Sequence, residues 1–170
     1  MLGVSLGIGG ETSSQGVDEY ELKAAILSKF VKLVSWPEER LPEKAPLVIV
    51  VFGEDPFGKR LEETFGKRKE EERKITIKRV TRPEDIGDAH VVFVPRGEAE
   101  HLAEILAKVR PTGSLLVGES EGFAARGGAI NFYAEGDKLR FEINTEVAKR
   151  QKLKISSDLL KLARIVKDKE

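Results

Sequence analysis

The chain contains no cysteine. Disulfides, thiol catalysis and thiolate metal ligation are therefore excluded together, although the compartment stays open, because an exported protein can also do without cysteine. Histidine is scarce: His90 and His101 are the only two, neither has a third ligand at metal spacing, and both read as structural. Net charge is missing as well, because 29 basic and 29 acidic side chains cancel, which leaves no electrostatic footprint for a nucleic-acid or membrane-surface partner. No window approaches the roughly 18 consecutive apolar residues of a membrane-spanning helix. There is no GxGxxG or GxxxxGK[ST] pattern, and Gly7, Gly9 and Gly10 follow no strand, so neither a nucleotide cradle nor a cofactor is expected. Ser156 and Ser157 have no partner base, and helix capping accounts for them. With no base–nucleophile or metal constellation, the chain does not read as an enzyme. Asn and Gln occur twice each while charged residues reach 34%, a bias shared with heat-adapted proteins.

What is present argues for one domain. At 170 residues and 40% hydrophobic content the chain can bury its own core. Residues 1–17 are rich in Gly and Ser and read as a flexible leader; they carry no basic n-region, and their apolar runs are too short for an export signal. Either the protein stays inside the cell or Met1 replaces a removed signal peptide. The folded domain is expected over 18–170.

Asp18 can cap a helix whose apolar positions Leu22, Ala25, Ile26, Phe30, Val31, Leu33 and Val34 follow the 3.6-residue period, and Trp36-Pro37 ends it. Leu47 to Phe52 is a continuous apolar run, the mark of a strand buried on both faces. A helix from near Phe57 carries Leu61 and Phe65. Ile75 to Val80 alternates as a more exposed strand, 81–88 makes a short helical link, and His90 to Val94 is the next buried strand. A helix with Leu102, Ile105, Leu106 and Val109 follows, then a strand at Ser114 to Val117. After Asn144, the segment TEVAKRQKLKI predicts a helix capped by Asn144 or Thr145, and Ser156-Ser157-Asp158 caps a last helix, DLLKLARIV. Strand–helix alternation at this spacing implies an α/β domain with a mostly parallel sheet and helices on both faces. Right-handed crossovers favour a flavodoxin-like strand order.

The stretch from Val117 to Asn144 organises the rest. Glu121 to Arg126 can form one helical turn, and Gly127-Gly128 breaks it. Two alternating runs, 130–135 and 139–143, then form a hairpin around Glu135-Gly136-Asp137-Lys138. This antiparallel hairpin extends the sheet near its C-terminal end, with one apolar and one wet face. The doubly wound reading places any ligand crevice at Gly53–Asp55, Pro95–Glu98 and Gly118–Gly122; the acids Glu54, Asp55 and Glu98 there read as solvated loop residues rather than an acid–base pair. Arg126, Arg140, Lys161 and Arg164 cluster in the last third. They are either solvated charges offsetting helix dipoles or an anion site.

Four segments carry a family likeness: EYELKAAILSKFVKLVSWP, VFGEDPFG, GFAARGGAINFYAEGDKLRFEIN and ISSDLLKLARIV. In this order, over about residues 18–166, the chain resembles the YfiR-type periplasmic repressors (YfiR/HmsC-like). The resemblance implies an exported, periplasmic, non-enzymatic regulator. Such a protein binds the periplasmic sensor domain of an inner-membrane diguanylate cyclase and holds it off, lowering cyclic di-GMP and biofilm formation. It also implies a homodimer and allows a small-molecule ligand. The best-known members link repression to redox state through disulfides, and a chain without cysteine cannot do so. The expected contact lies on the polar face of the hairpin and on the last helix, with Arg126, Gly127, Gly128, Asn131, Tyr133, Arg140, Lys161 and Arg164 as the partner- or ligand-binding residues. A small-molecule-binding receiver of an envelope signalling system, its pocket lined by loops 53–57 and 95–98, is the alternative.

Overall fold

The computed structural model describes residues 19–69 and 71–168; the expected leader and the Asp18 cap lie outside them. Helix α1 covers residues 19–33 and runs into a two-residue strand, β1 (Val34–Ser35). Then follow β2 (Leu47–Phe52), α2 (Arg60–Phe65), β3 (Ile75–Val80), β4 (Val91–Val94), α3 (Leu102–Val109) and β5 (Leu115–Gly118). The hairpin is β6 (Ile130–Glu135) and β7 (Lys138–Asn144), followed by α4 (Thr145–Arg150), β8 (Lys154–Ile155), α5 (Ser157–Leu160) and β9 (Arg164–Val166).

Seven strands form one sheet in the order β3-β2-β4-β5-β6-β7-β9, while β1 and β8 pair separately. The first five are mutually parallel, β7 runs antiparallel to β6, and β9 is parallel to β7. Counted along the chain, the five parallel strands have the flavodoxin-like order; the fifth of them, β6, is the first strand of the hairpin, so only its second strand, β7, adds the expected antiparallel extension. Two apolar layers flank the sheet. One holds Leu27 and Phe30 of α1 and Leu61 of α2 against Ile49, Phe93, Val117, Ile130 and Phe141. The other holds Ile105 and Val109 of α3 against Val50, Val92, Leu116 and Phe123. β2, β4 and β5 contribute to both layers, which explains their unbroken apolar sequences.

His90 is structural. Its Nδ1 accepts the Val48 N–H at 3.0 Å and its Nε2 lies 2.9 Å from the Arg40 carbonyl oxygen. Trp36 is buried and donates to the His90 carbonyl. Asn144 caps α4 by accepting the N–H groups of Glu146 and Val147, and Ser156 caps α5.

Three expectations are corrected. The buried stripe of α1 is Ala24, Leu27 and Phe30, while Leu22 and Ala25 are exposed. The helix after Asn144 stops at Arg150, where Lys152 takes a positive φ of 60° and the chain turns into β8. The last helix stops at Leu160, and Arg164–Val166 pairs with Glu142–Asn144 as a strand. Both tails are too short to bury a helical face, and each gains a ladder instead.

Candidate functional site

The carboxyl end of β5 delivers Glu119 into a buried polar cluster. Lys23 Nζ lies 2.6 Å from Glu119 Oε1, and the two side chains are 2% and 1% exposed. The Tyr20 hydroxyl donates to Glu119 Oε2 at 2.9 Å, and the Arg96 main-chain N–H donates to the same oxygen at 3.0 Å. Lys23 also bonds Glu19 at 2.5 Å and lies 4.7 Å from the centre of the Tyr20 ring. One carboxylate therefore ties α1 to the loops after β4 and β5. Such a charge is tolerable inside only because donors surround it. Burial, and then the Glu119 charge, push the Tyr20 hydroxyl well above the usual tyrosine range, so it stays a donor at every physiological pH.

This cluster forms one wall of a cavity of about 590 Å³. Leu22, Phe132, Ala134 and Leu139 supply apolar lining, and Arg96, Glu121, Lys138 and Arg164 supply charge. An apolar lining with a few polar groups suits an organic ligand or an inserted side chain. Of the three expected crevice loops, 118–122 lines the cavity and 95–98 contributes Arg96, whereas 53–57 is absent from the lining. At the strand-order switch point Glu98 closes the gap instead: it accepts the Glu54 N–H at 3.4 Å, and a Cβ on Gly53 would lie 2.2 Å from its carboxyl carbon. Glu98 thus fills space that the expected pocket between loops 53–57 and 95–98 would need, and the cavity lined by Arg96 and Glu119 lies beside the hairpin.

On the other face of the hairpin, Asn131, Tyr133, Arg140 and Glu142 occupy alternate positions of β6 and β7, and β9 brings Arg164 beside Glu142. The Arg164 guanidinium stacks 4.2 Å from the Tyr133 ring centre and pairs with Glu142. Glu142 also accepts from Asn131 Nδ2 at 3.2 Å, and Asn131 bonds both the N–H and the carbonyl of Ser120. A polar chain thus links the sheet edge to the cavity loop.

The eight expected site residues separate into groups. Tyr133 and Arg164 meet and share the cavity lining with Asn131. Asn131 is buried and holds the 118–122 loop in place. Arg140 pairs with Glu135 at 3.2 Å on the exposed hairpin surface. Arg126 donates to the carbonyls of Glu121 and Gly122 in its own loop. Gly127 adopts φ of 119° and lies against Leu106, and a Cβ on Gly128 would lie 2.2 Å from the Phe123 ring, so both permit close backbone packing. Lys161 is exposed in the turn after α5. Sequence reasoning missed Lys23, Tyr20 and Glu119. The signal was legible: Lys23 stands four residues before Leu27 and seven before Phe30, a lysine placed on an apolar helical stripe.

Among the described residues no cluster of three or more His, Cys, Asp or Glu could hold a metal ion, and no helix is long and apolar enough to cross a membrane. No curated protein matches the chain. Solved structures share its fold, among them the following three. A conserved domain protein from Vibrio cholerae O1 biovar eltor aligns with a TM-score of 0.58 and 11% identity over 86% of this chain and 60% of that one. The ABC domain in complex with L-Trp from Streptococcus pneumonia gives 0.54 and 10% over 76% and 58%. The ligand-free, open structure of CD0873, a substrate binding protein with adhesive properties from Clostridium difficile, gives 0.51 and 13% over 78% and 57%. The chain thus spans between 57% and 60% of the length of these solved chains, and at such identities they show the fold alone. The family model described as YfiR/HmsC-like matches residues 20–164. That match extends from α1 to the first residue of β9: the chain belongs to the YfiR/HmsC-like family.

Proposed function

We propose that this protein binds the periplasmic sensor domain of an inner-membrane diguanylate cyclase and represses it, acting as a homodimer without chemistry of its own. The observation that carries the reading is the family match over residues 20–164. The polar face of the hairpin supports it, because it presents the Tyr133 ring together with Arg140 and Arg164, residue types enriched in interaction surfaces. Tyr133, Arg140 and Arg164 make the direct contacts, and Lys161 contributes from the exposed turn after α5. Asn131, Gly127, Gly128 and Arg126 shape the loops beneath. Repression requires only that the protein prefer the inactive conformation of the cyclase, and the equilibrium shifts by that preference.

The test is a titration of the full chain against the periplasmic domain of a membrane diguanylate cyclase from the same genome, with cyclase output measured in membranes. Saturable binding with loss of cyclic di-GMP synthesis supports repression. No binding at tens of micromolar, a weak affinity on any scale, discards it.

The cavity favours a second reading: a small-molecule receiver whose ligand, held between Arg96 and Leu139, passes a signal to the cyclase contact through the Asn131–Glu142–Arg164 chain. A metabolite panel that raises the melting temperature by binding the folded state supports this reading. A panel without effect, alongside a repressing titration, leaves repression alone.

A further inference from the structure

Strand β7 is only half paired on its outer side. Its turn consists of Gly136 and Asp137, with Glu135 opposite Lys138. The main-chain groups of Lys138, Arg140, Glu142 and Asn144 point towards β6, and the Asn144 N–H indeed reaches the Ala129 carbonyl at 2.8 Å. Those of Leu139, Phe141 and Ile143 therefore point away from β6. Strand β9 covers only the last part of this edge, pairing with Glu142, Ile143 and Asn144. The N–H and carbonyl of Leu139 and the N–H of Phe141 have no strand beside them among the described residues.

Open strand edges are templates for a further strand. The surroundings of this one define what it would take. Leu139 and Phe141 lie on the core side of β7, with exposed Leu22 lining the same cavity as Leu139. Among the described residues the exposed large apolar side chains are Leu22, Leu162 and Ile165; the last two precede or belong to β9. On the opposite side of β7 stand Lys138, which has no ion pair among the described residues, and Arg140, paired with Glu135 but exposed, with the Glu142-paired Arg164 next along the edge.

We propose that Lys138–Phe141 is a strand-addition site for an extended segment of the regulated partner, with apolar side chains towards Leu139 and Leu22 alternating with acidic side chains towards Lys138 and Arg140. This rests on the partner-binding reading above and names the chemistry of that contact. Main-chain pairing to Leu139 supplies affinity, and the alternating side chains supply register.

Amide hydrogen exchange on the full chain tests it. The amides of Leu139 and Phe141 exchange freely in the isolated protein and slow at least about tenfold when the partner's periplasmic domain is bound, as expected for new ladder hydrogen bonds. Leu139→Pro removes an outward N–H without touching the β6 ladder, and the Lys138→Glu/Arg140→Glu pair keeps the backbone intact; each weakens binding by about tenfold or more. A complex that forms without protecting these amides overturns the site and leaves repression standing. Protection already present in the free chain also overturns it. Deleting residues 1–17 then shows whether the chain's own leader occupies the edge, and dilution shows whether a second copy does. If the domain does not bind at all, repression fails and the peptide acetyl-Glu-Val-Glu-Val-Glu-Val-amide reads the edge by itself: protection of Leu139 and Phe141 upholds the site, and none at millimolar peptide, far above a useful affinity, ends it.

Discussion

Strands β2, β4 and β5 are covered on both faces, whereas β6 and β7 are covered by α1 on one face and carry Tyr133, Arg140 and Glu142 on the other, with Arg164 of β9 beside them. Both halves share one backbone ladder and differ only in what α3 reaches. Where α3 packs, every position of β4 and β5 is apolar and buried apart from Gly118, which lies against Phe123. Where it does not, the sequence alternates and the polar residues pair among themselves. The lesson is a division of labour. Free energy from burial is concentrated in the first half, and the second half can expose side chains that complete their contacts with another molecule.

The comparison predicts that substitutions in the two halves affect different observables. The largest effect belongs to the covered half. Phe93, fully buried and packed edge-on against Phe57 at 4.9 Å, should cost about 3–5 kcal/mol when replaced by Ala in urea unfolding, with partner affinity per folded molecule unchanged. A loss of affinity in the folded fraction would break the division. Next comes the seam between the halves. Lys23→Met leaves the Glu119 carboxylate buried without its nearest cation and should destabilise by about 3 kcal/mol. The double variant Lys23→Met/Glu119→Gln should recover most of that, because replacing both partners removes the stranded charge. Equal stability of the single and double variants would show that Tyr20 and the Arg96 N–H satisfy Glu119 alone.

A smaller effect is a pH dependence in the covered half. Burial holds the His90 imidazole below its usual range, so as pH falls from about 6.5 the unfolded chain takes up a proton that the fold refuses. Stability attributable to His90 is therefore full above neutrality and is lost as pH falls through the folded value. The melting temperature should decline between pH 7 and 5, and His90→Asn should flatten that decline even though it lowers stability overall. An unchanged slope in the variant would assign the pH dependence to other groups.

The smallest stability effect belongs to the uncovered half. Arg164 is 56% exposed, and solvent screening limits its pair with Glu142 to about 1 kcal/mol or less. Arg164→Ala should thus leave the melting curve nearly unchanged while, on the proposed contact, reducing binding to the proposed partner domain about tenfold or more, as expected of an arginine anchor. Unchanged affinity in this folded variant would remove Arg164 from the contact.

Much of this fold is written locally. The apolar runs 47–52 and 91–94, the helical period around Leu102 to Val109, the Gly136-Asp137 turn and the caps at Asn144 and Ser156 each state their element within a few residues. The strand order follows from their alternation and the handedness of crossovers. The candidate site was less legible. Tyr133 and Arg164 were read as neighbours in function, but their stacking depends on β9, which the helical period of DLLKLARIV concealed. Four residues of helix followed by three of strand carry too little pattern to declare themselves, and the open side of β7 decided between them. Asn131 looked like a surface residue from its alternation with Ile130 and Phe132. Loop 118–122 folds over it, so the face it occupies is polar without being wet.

The sequence by itself determined the class of this protein. Periodicity and turn chemistry act over a few residues, and they specify a mostly parallel α/β sheet with a hairpin, while the lack of cysteine excludes disulfide and metal-thiolate chemistry. Only the tertiary structure decided where function can reside. The burial of Lys23 against Glu119, the closing of the switch point by Glu98, the cavity beside the hairpin and the half-paired edge of β7 each bring together residues far apart in the chain. Which distant groups share a buried space is settled by how the layers pack, and no local pattern encodes it.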